Sequence, residues 1–178
     1  MTKGASENIV IRRLSALHET DIGELAAVLI DCVEGGASVS FMQPLSHDKA
    51  GDFWRDVARE AARGARMILV ARDADGIVGT VQIVLAQPDN QPHRADIAKM
   101  LVHRRGRRRG IGAALMQAAE VAAREAGKTL LVLDTVTGGD AERLYSRLGW
   151  VFVGIVPDYA LWPDGRLCDT SIYYRRLA

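Results

Sequence analysis

The chain holds only two cysteines in 178 residues, Cys32 and Cys168, too few for a disulfide framework or a cysteine-based zinc site. Its four histidines, His18, His47, His93 and His103, show no metal-ligand spacing, so no metal is expected. No apolar run approaches the roughly 20 residues of a membrane span. The first residues lack a signal-peptide layout, and the expectation is a cytoplasmic protein with no membrane partner. The glycine-rich segment contains neither Gly-Lys-Ser/Thr nor GxGxxG, which excludes the usual phosphate loop and dinucleotide fingerprint. An excess of one charge is missing too: 23 Lys and Arg face 22 Asp and Glu, a net charge of +1. A general nucleic-acid binder would be more basic, so no nucleic-acid partner is expected. No repeat, linker or low-complexity tract interrupts the chain. Residues 1–178 therefore read as one domain, with 1–6 a frayed start.

What is present is strong periodicity. Asn8–Leu14 is a short β-prone run. Thr20 can cap a helix in which Ile22, Leu25, Ala26, Leu29, Ile30 and Val33 form one apolar stripe, stopped at Gly35-Gly36. Ser46 can cap a second, with Ala50, Phe53, Trp54, Val57, Ala58 and Ala61 at the same spacing until Gly64. Met67–Arg72 and Ile77–Ala86 read as strands around a tight turn at 73–76. Ala95–Val102 alternates like a strand, and Ile111–Ala126 is an alanine-rich helix. Thr129–Leu133 is a continuous apolar run, expected to be a central strand buried on both faces. Asp140–Leu148 is a short helix closed by Gly149, followed by strands at Trp150–Val156 and Thr170–Arg176. The order β-α-α-β-β-β-α-β-α-β-β predicts an α/β (α+β) fold, a mixed central sheet with helices on both faces.

The most informative stretch is RADIAKMLVHRRGRRRGIG, residues 94–112, where a strand runs through a basic loop onto a helix start. First-turn amides have no intrahelical partner, and the macrodipole places partial positive charge there, so such a turn binds anions. Gly110 and Gly112 allow close approach, while Arg107, Arg108 and Arg109 add full charges. A solvated arginine loop, or a basic patch for nucleic acid, is the rival reading of the same residues.

The spacing Arg107-x-x-Gly110-x-Gly112 resembles the pyrophosphate-binding signature of the GCN5-related N-acetyltransferase (GNAT) family. In 131–154, Ala141, Leu144, Tyr145, Gly149 and Trp150 are similar to the family's second cofactor segment, with Gly138 where an asparagine is common. The runs GGASVSFM (35–42), RADIAKMLV (94–102), LDT (133–135) and PDGRL (163–167) resemble the tabtoxin-resistance branch of that family. The resemblance implies acetyl-CoA as cosubstrate, held by Arg107, Arg108, Arg109, Gly110, Ile111, Gly112 and Ala113, and by the main chain of Met100, Leu101 and Val102. It implies Tyr145 as the acid for the departing thiolate, with Asp134 and Asp96 orienting and deprotonating the acceptor ammonium. A phenol near pKa 10 facing a thiol near 8.5 is about 1.5 units uphill, roughly 2 kcal/mol, so Tyr145 would act mainly by hydrogen-bonding the sulfur.

Each of these residues also admits a structural role. Tyr145 could pack as a half-buried aromatic, Asp134 could cap a turn, and Asp96 could form a strand-edge salt bridge. Gly36, Ser38, Phe41, Tyr159 and Trp162 are expected to wall the acceptor, in Gly35–Met42 and a loop at Pro157–Leu167. Trp162 could equally plug the core. Cys32 and Cys168 have no adjacent histidine, which argues against an acyl-cysteine route. His103 is expected to be solvent-exposed. The expected activity is acetyl transfer to the amine of a small polar, amino-acid-like or antibiotic molecule, by a monomer or homodimer. Acetylation of protein or peptide amines, and a non-catalytic acyl-CoA-binding sensor, are the alternatives.

Overall fold

The computed structural model describes residues 9–177, and the expected frayed start lies outside them. The elements in order are β1 (Val10–Leu14), α1 (Glu19–Glu34), α2 (His47–Ala62), β2 (Arg66–Asp73), β3 (Gly76–Val84), β4 (Arg94–Val102), α3 (Ile111–Glu125), β5 (Leu130–Val136), α4 (Asp140–Arg147), β6 (Val151–Leu161) and β7 (Leu167–Arg176). A single 3-10 turn, Arg104–Gly106, precedes α3. The seven strands form one sheet, ordered β1-β2-β3-β4-β5-β7-β6. Among the described residues only the β4–β5 pair is parallel.

Each face of the sheet has its own core, as the two helical stripes require. On one face α1 and α2 bring Leu25, Leu29, Val33, Trp54 and Val57 against Ile68 and Val70. On the other, Ile111, Leu115, Met116 and Ala119 of α3 meet Leu69, Val81, Ile83, Ala95, Leu131 and Leu133, joined by Tyr145 and Trp150. Ser46 caps α2 by accepting from the Lys49 amide at 3.2 Å. α1 starts one residue before Thr20. Asp21 reaches back to accept from the His18 amide at 2.9 Å, so a carboxylate supplies the cap and Thr20 lies in the first turn.

β7 starts at Leu167 rather than Thr170, and two further strands differ from the sequence expectation in ways that bear on the site. β5 is buried on one face only: Leu131 and Leu133 are buried, Leu130 and Val132 half-buried, and Asp134 exposed. The reason lies next door. β4 and β5 pair through Arg94–Leu130, Ala95–Leu131 and Asp96–Val132 and then separate, so nothing covers the far end of β5 on that side. β6 is longer than Trp150–Val156 because the ladder with β7 resumes after an irregularity at Val156/Ala160. Pro157 falls inside that irregularity, where its missing N–H costs no ladder bond. Tyr159 therefore sits on a strand rather than in a loop.

Candidate active site

The opening between β4 and β5 lies at the carboxyl ends of two parallel strands, where α/β sheets commonly bind ligands. β4 is reshaped there. Its pairing with β3 passes from Gln82–Ala98 to Thr80–Leu101, so Lys99 and Met100 together face the single residue Val81. Lys99 takes a positive φ of 48°, the mark of a bulge that re-aims side chains. From Ile97 onward, the β4 edge facing β5 has no strand partner among the described residues. Leu101 is buried among the α1 and α2 core residues, and Met100 packs on the opposite core. The Val102 carbonyl is already used, accepting from Cys32 Sγ at 3.6 Å and Arg107 Nε at 3.4 Å.

The turn into α3 is built by acidic residues far away in sequence. Asp31, buried on α1, accepts from the Arg104 amide at 2.8 Å and from the Arg104 guanidinium. His103 is three-quarters covered rather than solvent-exposed, with Nε2 3.6 Å from Asp31 and Nδ1 accepting from the Arg105 amide at 3.1 Å. Asp73 accepts from Arg105 and lies 3.6 Å from Arg109. That hydrogen bond from Arg105 holds the Asp73 carboxyl below its ordinary range. Arg107 folds back over the C-terminal end of α1, beside Gly35 and Cys32. Of the three arginines assigned to the anion, only Arg108 is exposed with no partner among the described residues. It has a φ of 61°.

Gly110 adopts φ 76° as the N-cap of α3 and offers no side-chain oxygen to its amides. The first turn of α3 carries no acidic residue. Ile111 points its side chain into the core and is itself buried. At Gly112 a Cβ would lie 3.0 Å from Leu144 Cδ2 and 3.7 Å from Met100 Sδ, so glycine here lets α3, α4 and β4 converge.

Tyr145 is 5% exposed, its ring 6.0 Å from Trp150 and 6.1 Å from Tyr173. No hydrogen bond to its hydroxyl occurs among the described residues. Burial, and secondarily the charge of Asp134, push the phenol well above its ordinary value. Asp134 is exposed and makes neither a hydrogen bond nor an ion pair among the described residues. Its charge acts on Tyr145 and on Lys99. Asp96 lies on the same face, opposite Val132, but its carboxylate is taken by Arg94 and by Gln87 Nε2 at 3.0 Å. The strand-edge ion pair is thus formed at Asp96, whereas Asp134 has no capping contact.

Glu142 is a site residue that the sequence did not mark. It accepts from the Gly138 amide at 2.6 Å and from Tyr173 Oη at 3.1 Å, bracing the β5–α4 turn. Gly138 has φ 80°, a left-handed conformation that glycine takes without strain and that asparagine also tolerates.

The two acceptor walls are tied together. Ser38 Oγ donates to the Leu161 carbonyl at 2.7 Å, and the Gln43 amide donates to the Pro163 carbonyl at 3.1 Å. Phe41 meets Phe53 edge-on at 5.2 Å. Gly36 and Trp162 line one hollow with Gln43, Pro163, Asp164 and Arg166. Trp162 is therefore half-exposed on the wall rather than a core plug, and Tyr159 is 56% exposed. Cys32 lies on the buried side of α1, with its thiol pushed up chiefly by burial, and Cys168 is buried on β7. A buried thiol held protonated is a poor nucleophile. Among the described residues no cluster of His, Cys, Asp and Glu could hold a metal ion, and no helix is long and apolar enough to cross a membrane.

Residues 37–150 match the acetyltransferase (GNAT) family. The chain belongs to the GNAT family. The fold agrees with solved GNAT structures. yncA of Salmonella typhimurium, solved with its cofactor acetyl-CoA, is 18% identical with a TM-score of 0.77, covering 96% of this chain and 94% of that one. A ribosomal-protein-alanine N-acetyltransferase from Brucella melitensis is 21% identical with a TM-score of 0.77, over 94% and 99% of the two chains. A chain named as a phosphinothricin N-acetyltransferase is 18% identical with a TM-score of 0.76, over 96% and 99%. One of these names specifies a protein acceptor and another a small molecule, so the shared fold leaves the acceptor open. GNAT enzymes use acetyl-CoA, and this chain fits it. The uncapped, acid-free start of α3 suits a pyrophosphate, and the unpaired edge of β4 suits an extended amide-bearing arm.

Proposed function

We propose that this GNAT domain moves the acetyl group of acetyl-CoA to the amine of a small polar, amino-acid-like molecule by direct attack. One observation carries the reading: beside the place where β4 and β5 part, the Asp134 carboxylate and the Tyr145 hydroxyl make no hydrogen bond or ion pair among the described residues. The amides of Gly110–Ala113, with Arg108, would hold the pyrophosphate, and the main chain of Met100 and Leu101 the pantetheine arm. Acetyl-CoA supplies an activated acyl thioester. Asp134 orients the acceptor ammonium and receives its proton, directly or through water. Tyr145 keeps its own proton and presents it towards the departing sulfur. Asp96 adds negative potential on the same face, shared with Arg94. A binder without turnover would have no use for this acid–base pair.

The hydrogen bonds joining the two acceptor walls favour a small molecule over a protein segment, which would need a long open groove. Detoxification of an amine-bearing antibiotic or toxin in the cytoplasm, where acetyl-CoA is made, suits such a site. The test is free-thiol release from acetyl-CoA across amino acids, aminated antibiotics and peptides. Turnover only with peptides would overturn the small-molecule reading. Asp134→Asn is expected to lower kcat by about 10²-fold, the lower end of general-base assistance, because the amide still orients the amine. The KM for acetyl-CoA should hold steady. Asp96→Asn should cost less than about tenfold, the scale of one lost hydrogen bond.

We also take the homodimer over the monomer. β6 is an edge strand exposing Val151, Phe152, Val153, Ile155 and Val156, with Asp158 its only charged residue. An antiparallel pair of β6 strands about a two-fold axis near Val153 would pair the free main chain of this edge and set these side chains beside their symmetry mates, with Asp158 away from the axis. Light scattering should give twice the chain mass, and Val153→Lys should return one chain mass. A wild-type monomer would refute this.

A further inference from the structure

The sequence marks Lys99 only as one position in an alternating strand. The fold sets it at the β4 bulge, on the acceptor side of the opening, with φ 48°. Its ammonium donates to Ser40 Oγ at 3.0 Å and lies 5.7 Å from the centroid of the Phe53 ring. Ser40 is a second non-glycine residue at positive φ, 77°, so both ends of this contact hold a strained backbone conformation. Strain of that kind persists where a fixed geometry is needed.

The surroundings of the ammonium are unusual. It is largely withdrawn from water, and among the described residues no carboxylate lies within ion-pair distance. Asp134 attracts it from farther off, and Arg66 adds a second cation nearby, held by Glu60 at 2.6 Å and by Gln82. Burial outweighs Asp134 and lowers the Lys99 pKa. An ammonium has three donors, and one neutral hydroxyl satisfies only one of them. Two donors and an unbalanced charge are left for something that arrives with the acceptor, and the complement is an anion.

We propose that Lys99 is a specificity-determining residue that receives a carboxylate carried by the acceptor beside its amine, with Asp134 taking the ammonium end. This rests on the reading of Asp134 as the amine's partner. Lys99 and Asp134 then form a charge pair across which a zwitterion bridges, and the acceptor is an α-amino acid or close analogue with both groups free. The hydrogen bond to Ser40 holds the cation in place before the acceptor enters.

The test uses the full chain with acetyl-CoA. The twenty standard L-amino acids and phosphinothricin are assayed for thiol release, and each one that turns over is compared with its carboxamide. Wild type should prefer acid to amide by about 100-fold or more in kcat/KM, as expected for a buried charge partner. Lys99→Met should collapse that preference to below about fivefold, mainly through the acceptor KM, while Lys99→Arg should retain most of it. Thermal unfolding of both variants shows that they fold. Equal use of acids and amides by wild type would overturn the proposal. So would a Lys99→Met loss shared equally by both, which is the signature of a lysine that merely props the Ser40 loop. Calorimetric titration of the same amino acids into CoA-loaded protein separates this from the transfer reading. Lys99-dependent binding without turnover sinks acetyl transfer and keeps Lys99, turnover of amines independent of Lys99 does the reverse, and no binding by any amino acid overturns the Lys99 proposal.

Discussion

Tyr145→Phe is expected to lower kcat by about 10²–10⁴-fold, some 3–5 kcal/mol of barrier, with acetyl-CoA still bound. The substitution keeps the ring against Trp150 and Tyr173 and removes a hydroxyl that no described residue contacts. Stability should therefore change by less than about 1 kcal/mol. The raised pKa has two consequences. The phenol is a weaker acid than a free tyrosine, so complete transfer to a thiolate is farther uphill than the roughly 2 kcal/mol of the unperturbed pair. Its contribution is then a hydrogen bond that strengthens as charge builds on sulfur. It also stays protonated as pH rises, so loss of the Tyr145 proton should not draw kcat down below about pH 10, the value of a free phenol. A near wild-type rate for the phenylalanine variant would make Tyr145 a packing residue. A loss of only about tenfold would fit one neutral hydrogen bond, with water as the acid and Tyr145 positioning it.

Gly112→Val should raise the Kd for CoA by about 100-fold or more, near 2.7 kcal/mol, with the fold retained. The added side chain starts 3.0 Å from Leu144 and must displace it or Met100, both beside the cleft where α3, α4 and β4 meet. Gly112→Ala should be milder, since the tip of a leucine can yield. Gly110 behaves differently despite sharing the motif. A Cβ there meets nothing within 4 Å, but φ 76° is left-handed. Gly110→Ala should mainly cost stability, about 1–2 kcal/mol. Calorimetry with CoA and thermal unfolding on the three variants distinguish the cases. Unchanged CoA affinity in the valine variant would remove the start of α3 from the cofactor site.

The helices were legible because their stripes are local: Leu25, Leu29 and Val33 share a face at any register of the rest of the chain. The anion turn was legible for the same reason, since strand, glycines and helix are contiguous at 94–126. Boundaries fared worse where a tertiary contact decided them. Asp21 capping His18 moved the start of α1, and pairing with β7 lengthened β6 past Pro157. Arg107 and Arg109 show the limit of reading charge from a motif. The Arg107 guanidinium lies beside Gly35 at the end of α1 and that of Arg109 lies 3.6 Å from Asp73, neighbours set by the fold and not by spacing.

The sequence by itself determined the order of elements, the two apolar helix faces and the anion-binding turn, because each depends on residues within one or two turns or strands of one another. The tertiary structure alone decided which polar groups are free. Asp96 and Asp134 look alike in sequence, yet Arg94 and Gln87 take the first and no described residue takes the second. Asp31 and Asp73 build the arginine turn, and Lys99 stands at a bulge without a counter-ion, from positions no motif connects. The physical reason is that hydrophobic periodicity is read along one chain segment, whereas the state of a charge depends on every element that packs against it.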